Sequence, residues 1–154
     1  QYKSELKNVI NLINNLQDQF PNNLRTALIH ADLFKDNIFF INDNVSGIID
    51  FFFTCNDSIV YDLATLINAW FFDNQKFDER DFNIFFKEYF SITEWNDSEK
   101  NNLNFYCKAS AIRFFMTRFH DIHFNNSGQV NHKDPMDFFE IINFHNKNNL
   151  QDFF

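Results

Sequence analysis

An α+β, mainly helical fold with a small cluster of β-hairpins is the structure that this sequence of 154 residues predicts. Apolar residues recur at helical spacing near the N-terminus and through most of the second half of the chain, a pattern typical of amphipathic helices. Between these two parts lie short apolar runs separated by polar loops, which indicate strands. Hydrophobic residues make up 45% of the chain, so residues 1–154 can form one domain with its own core.

The first element is a helix, and three short strands follow it. Leu6, Val9 and Ile13 share one helical face, so the spacing predicts a helix over 3–19. The predicted strands cover residues 26–29, 38–41 and 45–53. Asn42-Asp43-Asn44 separates the last two strands, and these residue types tolerate the left-handed backbone that a tight hairpin requires.

Four helices are predicted in the second half, each opened by a residue type that caps helix N-termini. The capping residues are Asp57 or Ser58, Asp78, Asn96 and Asp134. The helices cover residues 59–72, 79–90, 96–121 and 135–147. Asn96 has Glu99 three residues later, which resembles a capping box. The tail from Asn148 is expected to fray.

The charge balance excludes several classes of partner. The net charge is −8, whereas a non-specific nucleic-acid binder needs a basic face, and so does a protein that binds anionic membranes. No apolar run reaches the roughly 18–20 residues of a membrane span. Two cysteines make no disulfide framework, and the first residues lack the apolar core of a signal peptide. We therefore expect a cytoplasmic protein with no nucleic-acid or membrane partner.

Three residues carry the chemistry that the sequence predicts. Asp32 and Asn37 lie in the polar loop between the first two strands, and Asp50 lies near the end of the third. A hairpin returns its second strand to the end where the first began, so the three side chains are expected to converge. Phosphoryl transfer needs one carboxylate for the attacking hydroxyl and oxygen ligands for Mg²⁺, and these residues meet both needs.

The spacing His30-x-Asp32-x4-Asn37, followed by Asp50, resembles the kinase-like phosphotransferases, the group of protein kinases, aminoglycoside phosphotransferases and choline kinases. The bacterial homoserine kinases of this fold are the more similar branch. The segments that carry this resemblance are Ile29–Phe34, Asp36-Asn37, Gly47–Phe51, Phe53–Asp57, Tyr61–Ala64, Leu66–Trp70, Ala111–Phe114 and Arg118–Asp121.

The resemblance implies the C-terminal lobe of a protein-kinase-like fold and the ATP-dependent phosphorylation of L-homoserine, a step toward threonine. Asp32 is then the catalytic base, and Asn37 and Asp50 hold Mg²⁺. His30 braces the catalytic loop, and Asp62 ties that loop to the following helix.

Homoserine carries a carboxylate and an ammonium, so its site needs a cation and an acceptor. The candidates for substrate contacts are Asn56, Asp57, Tyr61, Asn68, Arg113 and Arg118. Arginine suits a carboxylate because its guanidinium is a bidentate donor. Arg113 and Arg118 are five residues apart, which is about 140° around a helix, so we expect only one of them, with Arg113 favoured, to contact the substrate.

The chain lacks a part that kinases need. Its only glycines are Gly47 and Gly128, so it has no glycine-rich loop to cover the phosphates. We therefore expect this chain to be a fragment whose partner is the missing N-terminal, nucleotide-binding lobe. The fragment is expected to be inactive alone and to expose an apolar patch where that lobe docks.

Other interpretations stay open at this point. The substrate could be another small alcohol, such as an aminoglycoside or choline, and the chain could also be a non-catalytic interaction module. Asp57 and Asp62 could serve only as residues of a helix N-terminus. A zinc site is disfavoured because the histidines that could form it lack paired Cys/His spacing. These histidines are His120, His123, His132 and His145.

Overall fold

The computed structural model describes residues 2–124 and 133–153. Within these residues it contains five α-helices and six short strands, which confirms the mainly helical α+β prediction. The helices are α1 (Lys3–Leu16), α2 (Ile59–Trp70), α3 (Glu79–Ile92), α4 (Asp97–Phe124) and α5 (Met136–Lys147). The strands are β1 (Thr26–Ile29), β2 (Ile38–Ile41), β3 (Asn44–Ile48), β4 (Cys55–Ser58), β5 (Phe72–Asp73) and β6 (Lys76–Phe77).

The strands form three separate antiparallel pairs in the described part of the chain: β1 with β4, β2 with β3, and β5 with β6. In the first pair Thr26 lies opposite Ser58, which places the start of α2 beside the start of β1. In the second pair the turn residues Asn42 and Asp43 have φ angles of 48° and 61°, the left-handed geometry that a two-residue hairpin requires.

The predicted strand over 45–53 is wrong beyond Ile48. Asp50 has a left-handed backbone with φ of 62°, which a continuous strand cannot contain. A 3₁₀ turn over Phe51–Phe53 follows it. The chain then enters β4, a strand that the hydrophobic pattern missed because its residues, Cys55–Ser58, are mostly polar. Helix α2 begins after Ser58, whose Oγ accepts a hydrogen bond from Val60 N at 3.2 Å.

The ends of the chain also differ from the prediction. The first helix ends at Leu16, and a 3₁₀ turn covers Gln17–Gln19. The expectation that the tail frays is wrong for Leu150–Phe153, which form a 3₁₀ turn with the Leu150 side chain fully buried. Burial of such a side chain offsets the entropy cost of ordering this short segment.

Helix α4 lies between two apolar clusters and contributes to both. One cluster joins it to α2 and α3, with Phe82 and Leu103 fully buried. The other joins it to α1 and α5, with Phe115 and Val9 fully buried and Phe138 nearly so. These packed helices form the helical body on which the loops described below rest.

An ion pair connects the segment before β1 with the start of α4. Glu99 is fully buried and accepts from Arg25 Nη2 at 2.8 Å. Glu99 also accepts from the backbone N–H of Asn96 at 2.9 Å, while Asn96 Oδ1 accepts from Glu99 N at 2.9 Å. This reciprocal pair is the predicted capping box.

Apolar side chains on the strand side of the molecule are exposed, in contrast to the helical body. They are Phe39, Phe40, Ile41, Val45, Ile48, Ile49, Phe51, Phe52 and Phe53. The cysteines divide in the same way, because Cys55 on β4 is exposed and Cys107 on α4 is buried. In the part of the chain that the structure describes, no helix is both long and apolar enough to cross a membrane.

Candidate active site

The loop between β1 and β2 carries Asp32 and Asn37 and is closed by its own hydrogen bonds. Asn37 Nδ2 donates to the Asp32 carbonyl at 2.8 Å, and the Phe34 N–H donates to the same oxygen at 2.8 Å. Asn37 is buried. Because its amide nitrogen is occupied in this way, its carboxamide oxygen is the atom that could coordinate a cation.

Asp50 is brought to this loop by two contacts of its neighbour, Ile49. The Ile49 N–H donates to the Asn37 carbonyl at 3.0 Å. His30 Nε2 lies 2.9 Å from the Ile49 carbonyl, and a carbonyl only accepts, so this ring nitrogen carries the proton. His30 thus joins the catalytic loop to the segment that carries Asp50.

Asp32, Asn37 and Asp50 line one cavity of about 260 Å³. Its other lining residues are Phe34, Asp36, Phe114, Arg118 and Lys133. The convergence that hairpin geometry predicted is therefore present. The cavity combines four oxygen-bearing side chains with two cations, a composition suited to a metal ion and to a ligand that is itself charged.

Burial raises the pKa of Asp32 above its ordinary value of 3.8. Electrostatic interactions with Arg113 and His30 oppose this effect, while the carboxylates of Asp50 and Asp36 add to it. A carboxylate with a raised pKa is a better proton acceptor than a fully solvated one. The environment of Asp32 therefore suits a general base.

Residues of helix α2 bind the backbone of the loop between β1 and β2. Asp62 Oδ1 accepts from the Ala31 N–H at 2.8 Å, and Asp62 Oδ2 accepts from the His30 N–H at 3.4 Å. Trp70, at the other end of the helix, donates from Nε1 to the Leu33 carbonyl at 3.0 Å. Asp62 thus does more than interact with the helix dipole, because its carboxylate binds two consecutive backbone amides of the loop.

Arg113 contacts the loop and does not line the cavity. Its Nη1 donates to the Ala31 carbonyl at 2.7 Å and to the Tyr61 hydroxyl at 3.3 Å. Its guanidinium carbon lies 4.7 Å from the ring centroid of Phe53 and 4.5 Å from that of Phe114. The guanidinium of Arg113 therefore binds groups of the protein itself.

Arg118 is the arginine that lines the cavity. Its Nη1 donates to Asp137 Oδ2 at 2.9 Å and to the Asp134 carbonyl at 2.8 Å. Lys133, the second cation of the cavity, donates from Nζ to Asp36 Oδ2 at 3.1 Å. The sequence predicts that only one of the two arginines contacts the substrate, with Arg113 favoured. In the structure Arg118 lines the cavity and Arg113 does not.

The remaining predicted substrate residues lie away from the cavity lining. Asn56 and Asp57 are exposed on β4, and Asp57 Oδ1 accepts from the Ser58 N–H at 2.6 Å. The Tyr61 hydroxyl is bound to Arg113. Asn68 is buried, where its Nδ2 donates to a backbone carbonyl of α4 and its Oδ1 accepts from His145 Nε2 at 2.8 Å. Asn68 is thus part of the helical core.

The donor set fits a magnesium ion better than zinc. A carboxylate from Asp50 and an amide oxygen from Asn37 are hard ligands, and Mg²⁺ is usually held by one or two such groups together with water and substrate phosphates. Among residues 2–124 and 133–153, no group of three or more His, Cys, Asp or Glu could hold a metal ion. Of the histidines considered above, His145 is buried beside Asn68, and His132 lies outside the described residues.

Four cavity residues were not predicted as site residues: Phe34, Asp36, Phe114 and Lys133. Lys133 is 97 residues from its partner Asp36, so no local motif connects them. Phe114 follows Arg113 in a segment that the sequence analysis singled out only as a resemblance.

A model of the phosphotransferase enzyme family matches residues 1–95, the part of the chain that contains Asp32, Asn37 and Asp50. The homoserine kinase of Rhodospirillum rubrum is 38% identical over 136 residues, which is 84% of this chain and 41% of that protein. The homoserine kinase of Sinorhizobium fredii is 39% identical over 132 residues, which is 84% of this chain and 40% of that protein.

The homoserine kinase of Bradyrhizobium diazoefficiens is 38% identical over 128 residues, which is 82% of this chain and 39% of that protein. The chain thus spans about two-fifths of the length of the curated relatives it matches. These similarities confirm the resemblance that the motifs indicated. Because the family model covers more than half of its residues, the chain belongs to the phosphotransferase enzyme family.

Proposed function

We propose that this chain forms the metal- and alcohol-binding part of a homoserine kinase. The observation that carries the proposal is the convergence of Asp32, Asn37 and Asp50 on one cavity in a chain of the phosphotransferase enzyme family. Its relatives that are named homoserine kinases support L-homoserine as the substrate. The transfer joins the side-chain oxygen of homoserine to the γ-phosphorus of ATP and releases ADP.

Asp32 accepts the proton of the attacking hydroxyl in this proposal. Its carboxylate lies in the cavity, and burial raises its pKa, so it can take up the proton as the oxygen–phosphorus bond forms. The hydrogen bond from Asn37 Nδ2 to the Asp32 carbonyl keeps the loop in the shape that presents this carboxylate. Positioning of this kind supplies much of the rate in phosphoryl transfer.

Asn37 and Asp50 would hold Mg²⁺ through one amide oxygen and one carboxylate. When bound, the ion neutralises charge on the phosphates of ATP and so favours their transfer. The fixed amide of Asn37 and the left-handed backbone at Asp50 support the positions of these two side chains in the cavity lining. His30 maintains that arrangement through the Ile49 carbonyl.

The cations of the cavity favour a carboxylate-bearing alcohol as the substrate. Arg118 and Lys133 line the same cavity as Asp32, and arginine binds carboxylates through paired donors. Arg118 is therefore the better candidate for the homoserine carboxylate. The ammonium of homoserine would bind one of the cavity carboxylates. Asp36 is the candidate, because it lines the cavity and is neither the proposed base nor a proposed metal ligand.

The test is an assay of ADP formation by the complete protein that contains this chain, with and without L-homoserine. Homoserine-dependent turnover that is lost in Asp32→Ala supports both the substrate and the base. Turnover only with an aminoglycoside, choline or another alcohol would keep the phosphotransferase and remove homoserine. A folded protein that consumes no ATP with any alcohol would favour a non-catalytic interaction module.

A second measurement concerns the 154-residue chain by itself. We expect no robust turnover from it, because its sequence contains two glycines and phosphotransferases of this type cover the phosphates with a glycine-rich loop. Magnesium-dependent phosphorylation of homoserine by the purified chain, at the rate of the complete protein, would contradict this expectation.

A further inference from the structure

Ala31, the residue that precedes Asp32, is bound at both its backbone N–H and its carbonyl by side chains from two helices. Ala31 has a left-handed backbone with φ of 61°, an unusual conformation for a residue with a Cβ atom. Its N–H donates to Asp62 on α2 at 2.8 Å, and its carbonyl accepts from Arg113 on α4 at 2.7 Å. Both polar groups of Ala31 are therefore fixed by side chains.

Fixing the Ala31 carbonyl also fixes the side chain that follows it. This carbonyl and the N–H of Asp32 belong to one planar peptide group. The orientation of that plane helps to set the direction in which the Asp32 side chain leaves the backbone. A hydrogen bond to the carbonyl from Arg113 therefore acts on the position of the Asp32 carboxylate without touching it.

Arg113 is well placed to act as a rigid donor. It contacts the rings of Phe53 and Phe114 at 4.7 Å and 4.5 Å, and cations stabilise such aromatic contacts. Its Nη1 also donates to the Tyr61 hydroxyl at 3.3 Å. Burial raises the pKa of Tyr61, so this hydroxyl stays neutral and accepts the bond.

We infer that Arg113 is a positioning residue for the Asp32 carboxylate, acting through the Ala31 carbonyl, and that it does not bind the substrate. This inference rests on the proposed function. An arginine that binds a ligand must reach the space that the ligand occupies. Arg118 lines the cavity and meets this condition, whereas Arg113 does not line it. The two roles predict opposite kinetic effects.

The first experiment compares Arg113→Met with wild type in the complete protein, measuring kcat and KM for L-homoserine. Methionine keeps the apolar stem between the rings and removes the donors. Because a displaced catalytic group costs on the order of 10²-fold, we expect kcat to fall by that amount while KM changes by less than about twofold. Arg113→Lys retains one donor and should recover at least about tenfold of the lost kcat.

The second experiment needs no substrate. Hydrogen exchange in peptides that cover residues 30–37 should be faster in Arg113→Met than in wild type, because Ala31 has lost one of the two side chains that bind its backbone. Arg80→Met is the matched control, since Arg80 is exposed on α3 and should change neither exchange in the loop nor the kinetic constants. If Arg113→Met fails to fold, Tyr61→Phe removes the acceptor that orients Arg113 and should produce the same effects at smaller size.

The outcomes separate this inference from the proposed function. A raised KM for homoserine with unchanged kcat in Arg113→Met would overturn the positioning role and leave the proposed function standing. Unchanged loop exchange with unchanged kinetics would also overturn it. If the wild-type protein does not phosphorylate homoserine, faster loop exchange in Arg113→Met would support the positioning role even though the substrate assignment has failed.

Discussion

The helical body and the catalytic loop region are stabilised by different forces. In the body, Phe82, Leu103 and Phe115 are fully buried in clusters that join five helices, so apolar burial dominates. In the loop region, apolar residues are exposed and the chain is held by hydrogen bonds to backbone groups, such as those made by Asn37 and Asp62. Changes in the body should therefore affect stability, and changes in the loop should affect turnover.

The largest effect is expected at Asp32. Asp32→Asn keeps the shape of the side chain and removes the proposed base, so kcat should fall by about 10²–10⁴-fold. Because burial raises the pKa of Asp32, the ionised carboxylate is less stable in the folded protein than in water at neutral pH. The variant should therefore show an equal or higher melting temperature, measured by calorimetry, alongside the loss of activity in steady-state assays.

In the core, a large effect is expected on stability and not on turnover. Phe82→Ala removes a fully buried ring on α3 and should lower the free energy of unfolding by about 3–5 kcal/mol, measured by urea denaturation. Ile84→Ala is the matched control, because Ile84 is 57% exposed on the same helix. A loss of kcat in folded Phe82→Ala without a loss of stability would break the distinction between the two regions.

Asp62 belongs to both regions, so its replacement should affect both properties. Asp62→Ala removes the acceptor of the Ala31 and His30 amides. Hydrogen bonds to a charged group contribute about 1.5–3 kcal/mol, and we expect a loss of stability of about that size together with reduced kcat. Denaturation and kinetics on the same sample test this. A change in only one of the two properties would show that the loop and α2 are not coupled through this carboxylate.

A pH-dependent effect is expected at Glu99. Hydrogen bonding to Arg25 holds the pKa of Glu99 below its ordinary value of 4.5. A group whose pKa is lowered by folding stabilises the protein above its unfolded-state pKa, and this contribution is lost as the pH falls through the folded-state pKa. Melting temperatures from pH 7 downward should therefore fall less steeply in Glu99→Gln than in wild type below about pH 4.5. Parallel curves would contradict the role of this pair.

The smallest effect is expected on the exposed strand side. Phe52 is 84% exposed, so Phe52→Ser should change the free energy of unfolding by less than about 0.5 kcal/mol. The measurement is urea denaturation beside Phe82→Ala, which removes the same ring from a buried position. A destabilisation comparable to that of Phe82→Ala would mean that Phe52 is packed in solution.

The sequence predicted those features that depend on neighbouring residues. Helix starts such as the one at Asp78, whose carboxylate accepts from Asp81 N at 3.0 Å, follow from local capping chemistry. The motif with Asp32, Asn37 and Asp50 was found because hairpin geometry converts short spacing into convergence.

Backbone conformation and long-range contacts could not be predicted from the sequence. The left-handed backbone at Asp50 ended a strand that the apolar pattern extended to residue 53, because hydrophobicity does not report backbone conformation. Lys133 reaches the cavity from 97 residues beyond Asp36. Arg113 was expected to contact substrate, yet its hydrogen bonds go to Ala31 and Tyr61, and no property of an arginine in a helix distinguishes a ligand contact from a backbone contact.

The two cysteines give each region its own chemical reporter. Cys55 is exposed on β4 beside the loop, whereas Cys107 is buried in the helical body, where burial raises the pKa of its thiol. A thiolate-selective reagent should therefore label Cys55 from the native state and reach Cys107 only when the body opens. The two labelling rates, read by mass spectrometry, would then report the opening of each region in the unmodified sequence, and equal rates would mean that loop and body open together.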